Sequence, residues 1–193
     1  MNNMDKLIEN LKYKLWAVVV FPVLLFLDQY SKEWARDNLS SGAKELIKGV
    51  LELRYSENRG AVWGFAQGSV TVMAVISIII FLIVLFIYVK IPYGKHYIPL
   101  HILAVFVLAG AAGNLIDRIL MKYVTDFIYI KLINFPIFNV ADVYITFSAF
   151  LIVVFSLTLY RKEEFEFLHL SSGSAKKDQE QQKNDVADQD ETA

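Results

Sequence analysis

Apolar residues in this chain gather into four long runs separated by polar stretches. Residues 69–89 carry no charge and are almost continuously apolar. Residues 98–116 are interrupted only by Pro99, His101 and Asn114, and residues 143–160 form another uncharged run. About 20 mostly apolar residues in a helix cross a bilayer core, so these three runs predict transmembrane helices. The run at 15–27 is shorter and contains Pro22, but Leu11, Tyr13 and the stems of Lys12 and Lys14 extend it by snorkelling. A cleaved leader is the rival reading of this first run. Asp5 and Glu9 break its basic leader, and Leu-Asp-Gln-Tyr-Ser-Lys follows instead of a small-x-small site, so an uncleaved first helix is expected.

The polar stretches carry their own patterns. Residues 31–39 look helical and end near Ser40-Ser41-Gly42. Residues 50–55 alternate apolar and charged, as a half-buried strand does. Gly60, Gly64 and Gly68 recur every four residues, which suggests close backbone approach or a turn-rich hairpin. Residues 123–132 read as an extended apolar segment. In the third run, the small residues 109–113 let a helix or a substrate chain pack closely. The pattern predicts a mainly α membrane protein. Its four transmembrane helices lie at about 13–28, 69–89, 97–116 and 143–160. A small, partly β extracytoplasmic platform is built from segments 29–68 and 117–142 and lies at the outer interface. Residues 1–162 form one four-span domain and 163–193 a cytoplasmic tail. From about 171 that tail has no aromatic residue and too little apolar surface to order itself.

Composition narrows this further. The hydrophobic fraction of 55% and mean hydropathy of +0.41 exceed those of an average soluble domain. The absence of cysteine excludes disulfides, a Cys nucleophile and Cys-based metal sites. A net charge of −1 points to no particular partner, and nothing resembles a nucleic-acid surface. Lys6, Lys12, Lys14, Lys90, Lys95, Arg161 and Lys162 all fall on one side of the four spans, which the positive-inside rule places in the cytoplasm with both termini. The outer segments also hold bases, Lys44, Lys48, Arg54, Lys122 and Lys131 among them.

The candidate chemistry lies in acids beside the apolar runs. Asp126 sits in Tyr-Val-Thr-Asp-Phe and Asp142 in Phe-Asn-Val-Ala-Asp, where an ionisable group is costly and defaults to a functional reading. Asp142 starts the fourth span, with Asn139 three residues back to orient it and the helix dipole favouring its charge. Asp126 has no comparable local donor, so if the two meet, Asp126 is expected to hold a shared proton more often. One carboxylate then takes a proton from water while the other polarises a peptide carbonyl. Asp28 and Lys32 have ion-pair spacing, and Asn114, Asp117 and Arg118 share one helix face. The three histidines are scattered and no metal-ligand spacing is present. These residues leave three readings open: an aspartyl peptidase, a small transporter or proton channel, and a scaffold with buried polar pairs. The acids cluster at one face without a repeat, which favours the peptidase over a transporter.

Five blocks in order then carry a resemblance. They are Asp28 with Lys32, Asn58-Arg59-Gly60-Ala61, Gly113-Asn114-Leu115-Ile116-Asp117-Arg118, Val124-Thr125-Asp126-Phe127 and Phe138-Asn139-Val140-Ala141-Asp142. The chain resembles the bacterial lipoprotein signal peptidases, or type II signal peptidases, over residues 15–160. The resemblance implies a catalytic pair of Asp126 and Asp142. It implies substrate-binding or supporting roles for Asn58, Arg59, Gly60, Asn114, Asp117, Arg118, Asn139, Asp28 and Lys32. It also implies cleavage of prolipoproteins on the amino side of a diacylglyceryl-cysteine, in the cell membrane, without a metal or organic cofactor. A monomer in contact with membrane lipid is expected. Where the family often has Ala-Phe, this chain has Val62-Trp63, and its acidic tail has no counterpart in the core pattern.

Overall fold

The computed structural model describes residues 3–60 and 70–168. Four long helices are present: α1 (Asn3–Leu39), α2 (Val70–Lys90), α3 (Ile98–Leu120) and α4 (Val140–Thr158). Four stretches are long and apolar enough to cross a membrane, the third of them including the short 3-10 turn before α3: Leu15–Leu39, Thr71–Lys90, Lys95–Leu120 and Val140–Thr158. Strands β1 (Lys44–Ile47), β2 (Leu51–Asn58) and β3 (Val124–Ile130) form one antiparallel sheet in the order β1-β2-β3. The mainly helical architecture with a small sheet is the one the sequence pattern predicts. The strands at 50–55 and 123–132 are found with slightly shifted ends, whereas β1 is four exposed residues that the pattern alone does not mark.

The first helix differs from the sequence reading. That reading ends the span near residue 28 and starts a second helical piece at 31. The structure runs one helix of 37 residues through Pro22 to Leu39. The polar residues in the middle do not stop it because Asp28 and Lys32 are fully buried and pair with each other. Beyond them, Ala35 and Leu39 pack on Phe127, with Trp34, Leu53 and Ile128 around them. At 1.5 Å per residue α1 is roughly 55 Å long. It therefore outruns a hydrocarbon core about 30 Å thick, and its far end carries the sheet.

Helix α3 is the centre of the bundle, with α1, α2 and α4 all packed on it. In their most apolar windows, 67% of α3 residues are buried and none of those in α2. The small residues of α3 make this possible. A Cβ on Gly110 would come within 2.6 Å of the Ala141 carbonyl oxygen of α4, and one on Gly113 would collide with Asp28 Oδ2 of α1. The 109–113 run thus serves helix packing.

In the sheet, a bulge in β2 sets which face meets the membrane end of the bundle. Leu53 pairs with Ile128 but Ser56 with Asp126, so Arg54 and Tyr55 together oppose one residue of β3. The extra residue moves the even-numbered side chains of β2 onto the face that Asp126 occupies. At the opposite end of the bundle, Tyr160 donates to the His96 carbonyl oxygen at 2.8 Å, and His96 Nε2 lies 2.8 Å from Glu164 Oε1. The first residues after α4 are therefore fastened to the α2–α3 connection. The Gly64 and Gly68 readings, Val62-Trp63 and the acidic tail lie outside the described residues.

Candidate active site

The N-terminus of α4 positions the first carboxylate. Asn139 is the N-cap, and its Oδ1 accepts from the Asp142 backbone N–H at 3.0 Å. Asp142 Oδ2 accepts in return from the Asn139 N–H at 3.1 Å, completing a capping box. A second helix supplies another cap: Asp28 Oδ1 of α1 takes the Ala141 N–H at 2.9 Å. The free oxygen of Asp142, Oδ1, accepts from Asn114 Nδ2 of α3 at 2.8 Å. Asp142 is thus held at both oxygens.

The second carboxylate comes from β3. Asp126 is 2% exposed. Its Oδ1 accepts from Asn139 Nδ2 at 2.7 Å and its Oδ2 from Asn58 Nδ2 of β2 at 2.9 Å. Burial raises the Asp126 carboxyl to about 6. The hydrogen bond donated by the Asn58 side-chain amide opposes the rise, the nearby Asp142 adds to it, and Asn139 and Lys32 oppose it. The donors that the sequence does not place beside Asp126 therefore come from residues distant in the chain. Asn139 bridges the pair, with its side-chain amide on Asp126 and its backbone and Oδ1 on Asp142.

Behind the pair lies a buried polar support. Lys32 Nζ meets Asp28 Oδ2 at 2.9 Å, Asn114 Oδ1 at 2.9 Å and Asp117 Oδ2 at 3.4 Å. Three ammonium hydrogens thus face three acceptors. A buried ion group of this kind is worth little net over an apolar core, but deleting one partner costs about 3–5 kcal/mol by stranding the others. Asp117 Oδ2 also takes the Thr125 N–H at 3.0 Å, and Arg36 donates to Thr125 Oγ1 at 2.9 Å. Both contacts anchor the start of β3 one residue before Asp126. Gln29 Nε2 lies 3.1 Å from Asp28 Oδ2, 3.1 Å from the Gly113 carbonyl oxygen and 3.2 Å from Asp117 Oδ1.

The structure gathers most of the sequence candidates. Asp126, Asp142, Asn58, Asn114 and Asn139 form one cluster, with Asp28, Lys32 and Asp117 packed behind it. Gly60 acts through Asn58: its N–H donates to Asn58 Oδ1 at 2.9 Å from a backbone with φ of 90°. That tight Asx turn suits glycine and points the Asn58 amide group at Asp126. Arg118 does not use Asp117 as its hydrogen-bond partner. It donates to Ser77 Oγ of α2 and the Asn114 carbonyl oxygen, each at 3.2 Å, and lines a 220 Å³ cavity between α2, α3 and α4. Arg59 is not brought to the cluster: its guanidinium is 67% exposed and pairs with Glu57 at 2.9 Å. Arg59 follows directly after the last residue of β2, outside the strand, and points away from the side that Asn58 faces. Gln29, Arg36, Thr125 and Ser77 are the contributors that sequence reasoning misses. Only Ser77, a polar residue within an apolar run, carried a visible signal.

Two oxygens held by amide donors, next to a second carboxyl that burial raises to about 6, form an arrangement suited to general acid–base chemistry on water and a carbonyl. Among the described residues, no cluster of His, Cys, Asp and Glu fit for a metal ion is present.

Comparison with known proteins gives concordant matches. The family model described as signal peptidase (SPase) II matches residues 20–158. A lipoprotein signal peptidase of Clostridium novyi is 34% identical over 144 residues, covering 72% of this chain and 95% of that protein. One of Enterococcus faecalis is 40% identical over 125 residues, covering 64% of this chain and 76% of its own. A bacterial membrane enzyme solved by the in meso method at 1.9 Å superposes with a TM-score of 0.66 at 29% identity, over 74% of this chain and 92% of that one.

Proposed function

Because the chain belongs to the signal peptidase II family, a family of bacterial membrane aspartic peptidases that remove signal peptides from lipoprotein precursors, we propose that Asp126 and Asp142 are its catalytic pair. The observation that carries this assignment is the Asn139 bridge, which ties both carboxyl groups to one residue at the start of α4. Asp126, raised to about 6 chiefly by burial, carries the proton of the pair. Asp142 accepts a proton from the attacking water, and Asp126 hydrogen-bonds the scissile carbonyl oxygen. The proton then passes to the leaving nitrogen as the tetrahedral intermediate collapses. Asn58, Asn114 and Asn139 hold the carboxyl groups in place. Asp28, Lys32 and Asp117 hold the asparagines and the two chain segments. Arg118, beside the cavity between α2 and α4, faces a peptide carbonyl of the substrate.

In this reading the enzyme cleaves on the amino side of a diacylglyceryl-cysteine, works as a monomer and touches membrane lipid. Residues 1–162 form the peptidase unit and 163–193 a cytoplasmic tail. Lys90, Lys95 and Arg161 cluster at the end of the bundle away from the carboxyl pair, so the positive-inside rule sets that end in the cytoplasm and the pair at the extracytoplasmic interface. The test uses purified Asp126→Asn and Asp142→Asn proteins in detergent with a diacylglyceryl-modified precursor and its unlipidated twin. Each variant, with a melting transition close to that of the parent, is expected to lose cleavage, and the parent to cleave only the lipidated form. Turnover retained by either variant would sink the assignment.

A further inference from the structure

We propose that Ser77 of α2 is a positioning residue for the cleavage: it presets the Arg118 guanidinium, so that the donors left over are ready for the peptide backbone of the substrate. This rests on the reading above, in which Arg118 meets a peptide carbonyl. Ser77 is a polar residue inside the uncharged run of residues 69–89. A hydroxyl among aliphatic side chains is costly unless it is paired. The structure pairs it twice. Ser77 Oγ donates to the Met73 carbonyl oxygen one turn back at 2.9 Å and accepts from Arg118 Nη1 at 3.2 Å.

The chemistry of the two groups allows one assignment of these roles. A guanidinium carries no acceptor, so the hydroxyl must accept from it. The single hydroxyl hydrogen then goes to Met73, which fixes the Ser77 rotamer. The same Nη1 donates to the Asn114 carbonyl oxygen of α3 at 3.2 Å. Among the described residues, both hydrogen bonds of Arg118 therefore fall on Nη1, one to each of two helices. A guanidinium is a rigid planar fork, so holding Nη1 from two sides sets the whole plane and leaves Nε and Nη2 for a ligand. Ser77, Asn114 and Arg118 line the same 220 Å³ cavity. Asn114 in turn donates to Asp142 Oδ1 at 2.8 Å, so the cavity wall is one hydrogen bond from the carboxyl pair.

Arg118 needs such a hold because its long side chain has many rotamers, and ordering them on binding costs affinity. A group ordered before the substrate arrives avoids that cost. Packing against α2 does not supply the order. None of the most apolar window of α2 is buried, and Ile76 and Ile80, the aliphatic neighbours of Ser77 on the cavity wall, are 42% and 46% exposed. On so open a helix a directed hydrogen bond, and not steric confinement, sets the guanidinium.

The test is steady-state cleavage of the diacylglyceryl-modified precursor in detergent. Losing a contact made equally in the ground and transition states raises KM and leaves kcat alone. Ser77→Ala is expected to raise KM about tenfold, the scale of a hydrogen bond to a charged group, with kcat and melting temperature close to those of the parent. Ser77→Thr, which keeps the hydroxyl, should restore the parent KM. Ser77→Cys, whose sulfur is a weak acceptor, is expected to raise KM in the same direction and serves if the alanine variant does not fold. Ile79→Ala, at a lipid-exposed position of α2, should leave KM unchanged. A double-mutant cycle on the Kd of the precursor, run in the Asp126→Asn enzyme, then reads binding without turnover. There Ser77→Ala should weaken binding when Arg118 is present and add nothing once Arg118→Gln is in place. An unchanged KM, a loss confined to kcat and melting temperature, or an equal weakening with and without Arg118 overturns the positioning role alone. A parent enzyme that does not cleave the lipidated precursor overturns the peptidase reading and this role with it.

Discussion

Three asparagine side chains set the geometry of the carboxyl pair, and each has its orientation forced by a group that can only donate. Asn58 Oδ1 accepts from the Gly60 N–H, Asn114 Oδ1 from the Lys32 ammonium and Asn139 Oδ1 from the Asp142 N–H. Their NH2 groups must therefore face Asp126 and Asp142. This has a consequence for pH dependence. Asp126 is raised to about 6, mainly by burial, and the proposed mechanism needs it protonated. A raised carboxyl keeps its proton up to about that pH and releases it above. The kcat/KM of the lipidated precursor should then fall about tenfold per pH unit on an alkaline limb starting near 6. Asn58→Ala removes a donor that favours the ionised form, so the limb should move to higher pH. The limb belongs to the pair as a whole. A pH–rate profile that does not respond to Asn58→Ala would remove Asp126 from the acid role.

At the scale of elements, the site depends on how closely three helices and two strands approach. Asp28 reaches the N-terminus of α4 only because Gly113 leaves room for it on α3. Gly113→Ala should push Asp28 off the Ala141 N–H and cost about 1–3 kcal/mol, the usual effect of overpacking. Calorimetry in detergent should register a lower melting temperature and turnover should fall with it. An unchanged melting temperature would mean that α1 and α3 can part without loss. The bulge in β2 works in the same way for the strand. Its one extra residue decides whether position 58 or position 59 faces Asp126, and so why Asn58 joins the site while Arg59 pairs with Glu57 on the outside.

At the scale of the molecule, charge is sorted along the bundle. The buried acids Asp28, Asp117 and Asp126 and the buried Lys32 lie at one end, and Lys90, Lys95 and Arg161 at the other. The proposed orientation follows from that sorting and can be checked cleanly because the chain has no cysteine. In intact cells, a membrane-impermeant maleimide should modify the Lys48→Cys variant, whose position lies in the exposed β1–β2 turn. The Lys95→Cys variant should react only after the cells are opened. The reverse result would turn the bundle over and place the carboxyl pair in the cytoplasm.

Much of this protein was legible from local pattern. Runs of apolar residues reveal helices because a bilayer admits little else. Asn139 and Asp142 announce their own capping box, since both partners lie within one helical turn. The ion pair of Asp28 and Lys32 is likewise a matter of spacing along one helix. What the sequence by itself determined, then, was the set of spans and the chemical inventory at their ends. The tertiary structure alone decided which donors reach which acids. Asn58 and Asp126 are 68 residues apart and meet only after β2 and β3 pair in a bulged register. Gln29 and Asp117 are 88 apart and meet through helix packing. It also carried α1 past its polar residues, because burying Asp28 and Lys32 as a pair replaced the water that would otherwise have ended the span. Hydrogen bonds and ion pairs act over about 3 Å, so they are specified by the meeting of surfaces and not by order along the chain.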